Sequence, residues 1–412
     1  MNRTVYAPDN SAILYLALIR KKHTNIYRFT MTMTDPVDPD ALQRAMDRVY
    51  RRFPTIIAGF RPGFFTHTVV PAEQSPQVLP DPGVLIPMTK QEIAACAFRL
   101  YYRDREISYE GFHAAADGFG AIAFLTTLTA EYLRLSKGID IPVCNTLRDV
   151  NEEPKPEELE DSYLVHQSGE PLHLPSRYSY QLPGEYTEPR IYPTTRSYPI
   201  DQVLAAARSH GVSLTSMLTG VMASSIMEVQ KRHRSKLLPV RIMVPADLRR
   251  MFKSTTLRNF ILYALPTLEP EDHDQPLSEL LRSFHRQTKA QLQPERMASI
   301  MAYNVKTQAS LLYRMVPRAL KCAFMRVAYK YFGESNSSIT LTNLGNVVLP
   351  DEMDRHVEDL TLTMTPRTGS PYNCGVLAFK NKLKISICRF GPQPELEEVF
   401  FNKLDTVMNT KI

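Results

Sequence analysis

Residues 107–125 read ISYEGFHAAADGFGAIAFL, and the change of hydrophobic period inside this stretch constrains the fold more than any other feature of the chain. Ile107, Tyr109 and Gly111 fall in step on one side, the alternation of a strand. From Gly120 the apolar residues Ile122, Phe124, Leu125 and Leu128 recur on one helical face, through to about Leu135. A strand therefore passes into a helix through HAAADG, with His113 at the start of the link and Asp117 and Gly118 at its end. Helix N-termini leave backbone N–H groups unpaired, and such junctions are common places for chemistry. On the residues alone two readings stand side by side. In one, His113 is a satisfied, half-buried histidine and Asp117 a helix cap; in the other, both serve a reaction.

With 412 residues, the chain has room for two domains or one large bilobal unit. A hydrophobic content of 43% and a charged content of 22% are those of a soluble globular protein with a sizeable core. The net charge of +6 suits a phosphate-bearing ligand but falls short of a nucleic-acid footprint. Cys96, Cys144, Cys322, Cys374 and Cys388 are scattered, with no C-x-x-C pair, so neither a disulfide framework nor a cysteine metal site is expected. The apolar run Ser11–Ile19 is too short to cross a bilayer and precedes the basic cluster Arg20, Lys21 and Lys22. A mature cytoplasmic protein is expected.

Along the chain, IYRFTMTMT after Asn25 alternates as a strand. Asp38–Phe53 reads as a helix: Asp38 caps, Pro39 suits the first turn, and Leu42, Ala45, Met46 and Val49 form the apolar stripe. Arg44, Arg48, Arg51 and Arg52 are expected on its solvated face. Residues 55–70 look like a hairpin turning at GFRPGFF, and a helix is expected around Lys90–Phe98. The composition shifts at Asp149: seven prolines and a run of carboxylates up to Thr195 suggest a crossover draped over the surface, not a packed element. The division is then 1–150 for an N-terminal lobe, 151–194 for the linker and 195–412 for a C-terminal lobe.

After the linker the order strand, helix, strands partly repeats. TTRSYPI and LLPVRIMVPADLR read as strands, as does NFILYALPTL, while Asp201–Ser209, Ser213–Arg232 and Ser278–Gln293 read as helices. This order suggests two related α/β lobes. Residues 297–333 hold no carboxylate but contain Lys306, Arg314, Arg318, Lys321, Arg326 and Lys330, interleaved with Leu311, Leu312, Met315, Phe324, Tyr329 and Phe332. Such a segment can touch a membrane surface or an anionic ligand. A surface helix with a solvated positive face is the plainer expectation, and Pro317, which breaks the segment in two, weighs against the membrane. SSITLTNLGNVVLP and VEDLTLTMTP read as strands, CGVLAFK and LKISICRF as a hairpin around Asn381, and Pro394–Met408 as a closing helix.

Gly118-Phe119-Gly120-Ala121-Ile122-Ala123 matches the dinucleotide pattern G-x-G-x-x-A, with Asp140 further on. Asp117 would set a carboxylate against the pyrophosphate, and no clear second parallel strand follows, so a nucleotide site is not expected. A metal at His113 and Asp117 lacks further ligands at a usable spacing, and neither a G-x-S-x-G elbow nor a phosphate loop occurs. His113 remains as a lone general base. A neutral imidazole with a pKa near ~6.5 can take a proton from an alcohol or amine attacking a carbonyl and return it to a leaving thiolate.

HAAADG resembles the H-x-x-x-D-G signature of the acyl-CoA-dependent acyltransferase superfamily, whose fold class is that of chloramphenicol acetyltransferase. The group includes condensation domains of nonribosomal peptide synthetases, plant BAHD acyltransferases, polyketide-associated acyltransferases and alcohol acetyltransferases. The resemblance extends to VRIMVPADLRRMF and to SITLTNLGNVVLP, which is similar to the S-N-x-G element of the alcohol acetyltransferase branch with Thr342 in place of the serine. Condensation domains usually carry a histidine where this chain has Phe112, and the D-F-G-W-G motif of the BAHD enzymes is absent.

The resemblance implies an α/β fold of two lobes related by a pseudo-twofold, with mixed sheets, flanking helices and a tunnel between the lobes. It implies His113 as the base, with Asp117 turned away from it and paired to an arginine of the other lobe: Arg249, with Arg250 as the alternative. Gly118 completes the motif, and Thr342 or Asn343 are candidates for the oxyanion donor, although TNLG reads equally as a strand-end turn. It further implies acyl-CoA as co-substrate, a small hydroxyl or amine acceptor, no metal and no permanently bound cofactor. The basic segment 297–333 could add to the hold on the CoA phosphates, with no residue assigned. An acyl carrier protein as donor and a non-catalytic tunnel protein are the other readings. A monomer that binds no nucleic acid and inserts in no membrane is expected.

Overall fold

The computed structural model describes residues 4–20, 25–144, 146–184, 191–233, 236–366 and 370–409, leaving aside the side chains of 331 and 332. Lys21, Lys22 and the Phe332 side chain thus lie outside the described residues. The first half runs α1 (Asn10–Ala17), β1 (Ile26–Met33), α2 (Pro39–Val49), β2 (Ala58–Pro62), β3 (His67–Pro71), β4 (Val78–Pro80), α3 (Lys90–Ala95), β5 (Phe98–Arg103), β6 (Glu106–Phe112) and α4 (Gly118–Lys137). Two short helices follow, α5 (Pro156–Leu159) and α6 (Ser162–His166). Next come β7 (Ile191–Pro199), α7 (Ile200–Ser209), α8 (Leu214–His233), β8 (Val240–Asp247), α9 (Arg249–Phe252), β9 (Ile261–Ala264) and β10 (Thr267–Leu268). The remainder is α10 (Leu277–Gln291), α11 (Pro294–Ala309), α12 (Leu311–Met315), α13 (Arg318–Ala328), β11 (Ile339–Asn346), α14 (Asp351–Asp354), β12 (Val357–Met364), β13 (Tyr372–Phe379), β14 (Lys382–Phe390) and α15 (Glu395–Asn409).

Local chemistry accounts for many of these boundaries. Asp38 accepts hydrogen bonds from the amides of Asp40 (2.9 Å) and Ala41 (3.2 Å), Pro39 opens α2, and Ala41, Leu42, Ala45, Met46 and Val49 are buried along it. Thr89 and Glu92 form a reciprocal capping box on α3, which stops at Ala95 so that Phe98 begins a strand. Lys380 and Asn381 both take positive φ, the twist a two-residue hairpin turn requires between β13 and β14.

Two mixed sheets result. The first is ordered β12-β1-β6-β5-β4, antiparallel except for the β4–β5 pair. The second is ordered β10-β8-β11-β13-β14-β7, with β9 also paired to β8, and β11 lies parallel to both its neighbours. Each sheet is backed by one long, almost wholly buried helix, α4 in the first lobe and α8 in the second, and each lobe has its own apolar core. Because β6 is antiparallel to both its neighbours, no parallel strand–helix–strand unit surrounds the G-x-G-x-x-A match.

Three expectations need correction. β12 falls in the stretch assigned to the C-terminal lobe, yet it pairs with β1 and completes the first sheet, covering an edge that would otherwise offer unpaired backbone groups. The stretch 151–194 is packed in part: Glu158, Ser162, Tyr163, Ser179, Tyr180 and Leu182 are buried. Arg52 is the third case, since it leaves the solvated face of α2 to place both Nη atoms on the Glu158 carboxylate (2.7 and 3.1 Å), where Arg148 Nε also lies at 2.7 Å. A buried carboxylate needs such partners, and they come from the first lobe. The Tyr163 hydroxyl meanwhile bonds Ser11 (2.8 Å) and both the amide and the carbonyl of Ile261 (2.9 and 2.7 Å), so the crossover is stitched to both halves.

Candidate active site

The loop between β6 and α4 is held first by main-chain bonds. The His113 amide donates to the Asn25 carbonyl (2.8 Å), the Ala115 amide to the Phe112 carbonyl (2.9 Å), and the Tyr27 hydroxyl to the Ala116 carbonyl (2.9 Å). Ala114, Ala115 and Ala116 are all buried, so the three small residues let the turn sit against the core beneath it. The His113 ring stacks on Tyr15 (centroids 4.5 Å apart, planes 16° apart) and meets the edge of Tyr27 (5.0 Å, 65°). Aromatic neighbours on two sides fix the ring plane without taking a proton from it. His113 Nδ1 is sealed from solvent and has no hydrogen-bond partner, which leaves the Nε2 side to carry the ring's partial exposure. Burial lowers the His113 pKa below the usual imidazole range, against smaller opposing pulls from its own main chain, Asp117 and Asn259. The ring is therefore held neutral, the form a base needs.

Asp117 is enclosed from both lobes. Oδ1 accepts from the amides of Phe119 (3.1 Å) and Gly120 (3.3 Å), capping α4, and from Arg249 Nη2 (3.0 Å). Oδ2 accepts from Arg249 Nη1 (2.9 Å) and from the Phe260 amide (2.9 Å). Arg249 spends its remaining N–H groups on Thr256 O (2.8 Å), Arg258 O (2.6 Å) and Asp247 Oδ1 (2.8 Å), so all five guanidinium donors are used. Its plane also covers the Phe119 ring at 4.5 Å. Burial works against the Arg249 charge, but Asp117 and Asp247 more than offset it and raise its pKa. Arg250, the alternative partner, points to solvent. No hydrogen bond joins the Asp117 and His113 side chains.

The two motif glycines sit where the second half of the chain approaches closest. A Cβ on Gly120 would fall 2.1 Å from the Leu257 carbonyl oxygen, and one on Gly118 would fall 2.4 Å from Leu344 Cδ2. These contacts, not a pyrophosphate, explain why the stretch reads G-x-G. Leu344 belongs to TNLG, which interrupts the pairing of β11 with β13 between Asn343 and Asn346. The Asn343 Nδ2 group is engaged with Thr215 Oγ1 (2.9 Å), and Asn343 Oδ1 accepts from the Gly345 amide (3.0 Å). Among the described residues the Thr342 hydroxyl has no partner, and Asn343 Nδ2 uses one of its two N–H groups on Thr215, so both oxyanion candidates retain a donor.

Asp9, Arg258 and Asn259 were not expected here. Asp9 is buried, caps α1 through the Ala12 amide (2.8 Å) and lies 3.8 Å from Arg258 Nε. Burial raises its pKa, while Arg258, the Ala12 amide and Asn259 pull it back. Asn259 Nδ2 donates to Ala114 O (3.2 Å) and Asp9 Oδ2 (3.3 Å), which fixes the amide's orientation and leaves Oδ1 buried without a partner. Asn259 Oδ1 and His113 Nδ1 are thus both buried without a hydrogen-bond partner. Asp9 before an apolar run carries a capping signal in the sequence; Asn259, at the start of what reads as a strand, carries none. Among the described residues no group of three or more His, Cys, Asp or Glu side chains is placed to hold a metal. Likewise, no single described helix is long and apolar enough to cross a membrane.

No protein-family profile and no curated protein matches the sequence, but many solved structures match the fold. The fold is of the chloramphenicol acetyltransferase-like, condensation-domain class. Fusarium graminearum TRI101, solved with coenzyme A and deoxynivalenol, superposes with a TM-score of 0.64 at 10% identity, covering 98% of this chain and 97% of that one. Polyketide synthase associated protein 5 of Mycobacterium tuberculosis gives 0.60 at 13% identity over 98% of both chains. The condensation domain of the monacolin K polyketide synthase MokA gives 0.58 at 10%, over 98% of this chain and 96% of that one.

Proposed function

We propose that the protein is an acyltransferase that moves an acyl group, acetyl in the first instance, from a CoA thioester to the hydroxyl or amine of a small hydrophobic acceptor. The observation that carries this reading is a histidine whose Nδ1 is sealed from solvent, on a loop held by a fully satisfied ion pair between Asp117 and Arg249. The acceptor oxygen or nitrogen forms its bond to the thioester carbonyl carbon while His113 Nε2 takes the acceptor's proton. The Thr342 hydroxyl donates to the developing oxyanion. As the C–S bond breaks, the thiolate leaves and receives the proton from His113, so no covalent enzyme intermediate forms. Asp117, Gly118 and Arg249 shape the loop. Asn259 is a positioning residue: its otherwise unpartnered Oδ1, together with the main chain of His113, favours a proton on Nδ1 and leaves Nε2 as the basic atom.

Acyl-CoA is a co-substrate and not a resident cofactor, and on this reading donor and acceptor meet at His113 in a tunnel of the kind the family resemblance implies. The structure of TRI101 with coenzyme A supports a CoA donor on this fold. A cytoplasmic setting suits the five unpaired, scattered cysteines, and a monomer is the working form in this reading. The test is thiol release from several acyl-CoA esters against a panel of alcohols and amines, with His113→Ala as the control. Release that depends on acceptor and on His113 supports the proposal, and wild-type turnover in His113→Ala overturns the mechanism. Absence of release with every pair would favour a carrier-protein donor or a non-catalytic binding protein.

A further inference from the structure

The six cations between residues 297 and 333, where no carboxylate occurs, account for the whole net charge: the rest of the chain holds 43 Lys and Arg against 43 Asp and Glu. A solvated positive face is expected for this segment, and Lys306, Arg314 and Lys330 are exposed, but large apolar side chains stand exposed with them. On α13 it is Lys321 and Cys322 that are buried, while Leu320 and Phe324 stand 62% and 75% exposed. On α12, Leu311 and Leu312 are 74% and 83% exposed, with Met315 beside them. Lys321 turns inward because main-chain and aromatic partners await it: Nζ donates to the Phe65 carbonyl (3.0 Å) and lies over the Tyr313 ring (4.6 Å).

These contacts tie the segment to the tip of the β2–β3 hairpin, another apolar outpost. The Arg318 amide donates to the Phe64 carbonyl (2.8 Å) and Arg318 Nε to the Gly63 carbonyl (2.9 Å), while the Phe64 ring remains 72% exposed. At the other end Arg326 Nε holds the Ala17 carbonyl (2.8 Å) at the close of α1, the helix whose Tyr15 stacks on His113. The exposed side chains therefore stand on a braced platform.

We propose that this face docks on an anionic lipid bilayer, with Leu311, Leu312, Met315, Leu320, Phe324 and Phe64 entering the boundary between headgroups and acyl chains. Exposed Lys306 and Arg314 then lie at the level of the lipid phosphates. Charge selects the partner: the protein's uncompensated positive charge lies in the same segment as its most exposed large apolar side chains. This docking does not depend on the transfer chemistry, since its readout is binding alone.

The test is co-sedimentation of the full chain with vesicles of phosphatidylcholine, with and without phosphatidylglycerol. Expected is binding that needs the anionic lipid, weakens with salt and falls by about tenfold or more in L312S/F324S. R314E is expected to weaken binding to the anionic vesicles; both variants alter only exposed side chains and keep the fold. Wild type and L312S/F324S binding alike, or no binding to either vesicle, would overturn the proposal. So would a dimer in sedimentation velocity that L312S/F324S dissolves, which assigns the face to a second copy. Binding of an acidic carrier protein that the same variant abolishes, without vesicle binding, would assign it to that partner and also overturn the proposal.

Discussion

The loop 113–120 and the helical pair 311–328 solve the same problem in opposite ways. Both set charges among apolar residues, and each engages a buried cation. In the first, Arg249 is buried against a carboxylate from the other half of the chain, and the apolar residues around it are buried too. In the second, Lys321 is buried against a main-chain carbonyl and a tyrosine ring, and the leucines and phenylalanine face water. Periodicity reveals that a helix has two faces. Partners supplied by distant elements decide which face turns inward.

The widest gap between the two regions is expected in turnover. His113→Ala should lower kcat by about 10²–10⁴-fold with acetyl-CoA and a saturating soluble acceptor, while its melting temperature stays near that of wild type. L312S/F324S should keep wild-type turnover with the same soluble acceptor. If both variants lost activity together, the regions would not be separable in the way the geometry argues.

In stability the contrast should be nearly as large. Asp117→Ala or Arg249→Ala leaves the other charge buried and unpaired, at a cost of about 3–5 kcal/mol in urea denaturation. Phe324→Ser, at an exposed site, should stay within about 0.5 kcal/mol. Removing both members of the pair should cost less than the two single changes added together, because neither charge is then stranded. Gly120→Ala comes next, at roughly 1–3 kcal/mol, because the new Cβ meets the Leu257 carbonyl and a main chain yields little. Gly118→Ala should be milder, since Leu344 can rotate its far methyl away. Equal melting temperatures for the two glycine variants would contradict the close approach at Leu257.

The elements that were legible in the sequence are those whose cause is local. The cap and proline of α2, the Lys380–Asn381 turn and the strand-to-helix switch at HAAADG each depend on residues a few positions apart. What failed depends on partners far along the chain. Arg52 sits in a row of arginines that looks solvated until Glu158, over a hundred residues on, supplies a buried carboxylate. β12 alternates plainly as a strand, but nothing in its own residues says that it joins the first sheet. The Arg249 pairing with Asp117 came from a family resemblance and not from spacing. Asn259 was invisible because a polar residue at a strand start has many ordinary reasons to be there.

The smallest effects concern two histidines, one in the loop and one on β3 that feels the charge of Arg318. His67, on β3 behind the hairpin tip, has its pKa lowered to about 4 by burial first and then by the Arg318 charge. His113 is lowered by burial, with Asn259 among the opposing pulls. Both are neutral in the folded protein at a pH where an unfolded chain, with imidazole near ~6.5, begins to bind protons. Their contribution to stability is therefore complete above about pH 6.5 and is lost as pH falls through the folded values, for His67 down to about 4. In turnover, the acid limb of kcat should lie below the ordinary imidazole range. Asn259→Ala should move that limb lower still, and Asn259→Asp should move it higher by placing a charge beside Nδ1–H. A purely structural role for Asn259 predicts lower activity in both variants with the limb unmoved. Arg318→Gln should raise the His67 titration in NMR and leave the pH dependence of kcat unchanged, because the two histidines answer to different surroundings.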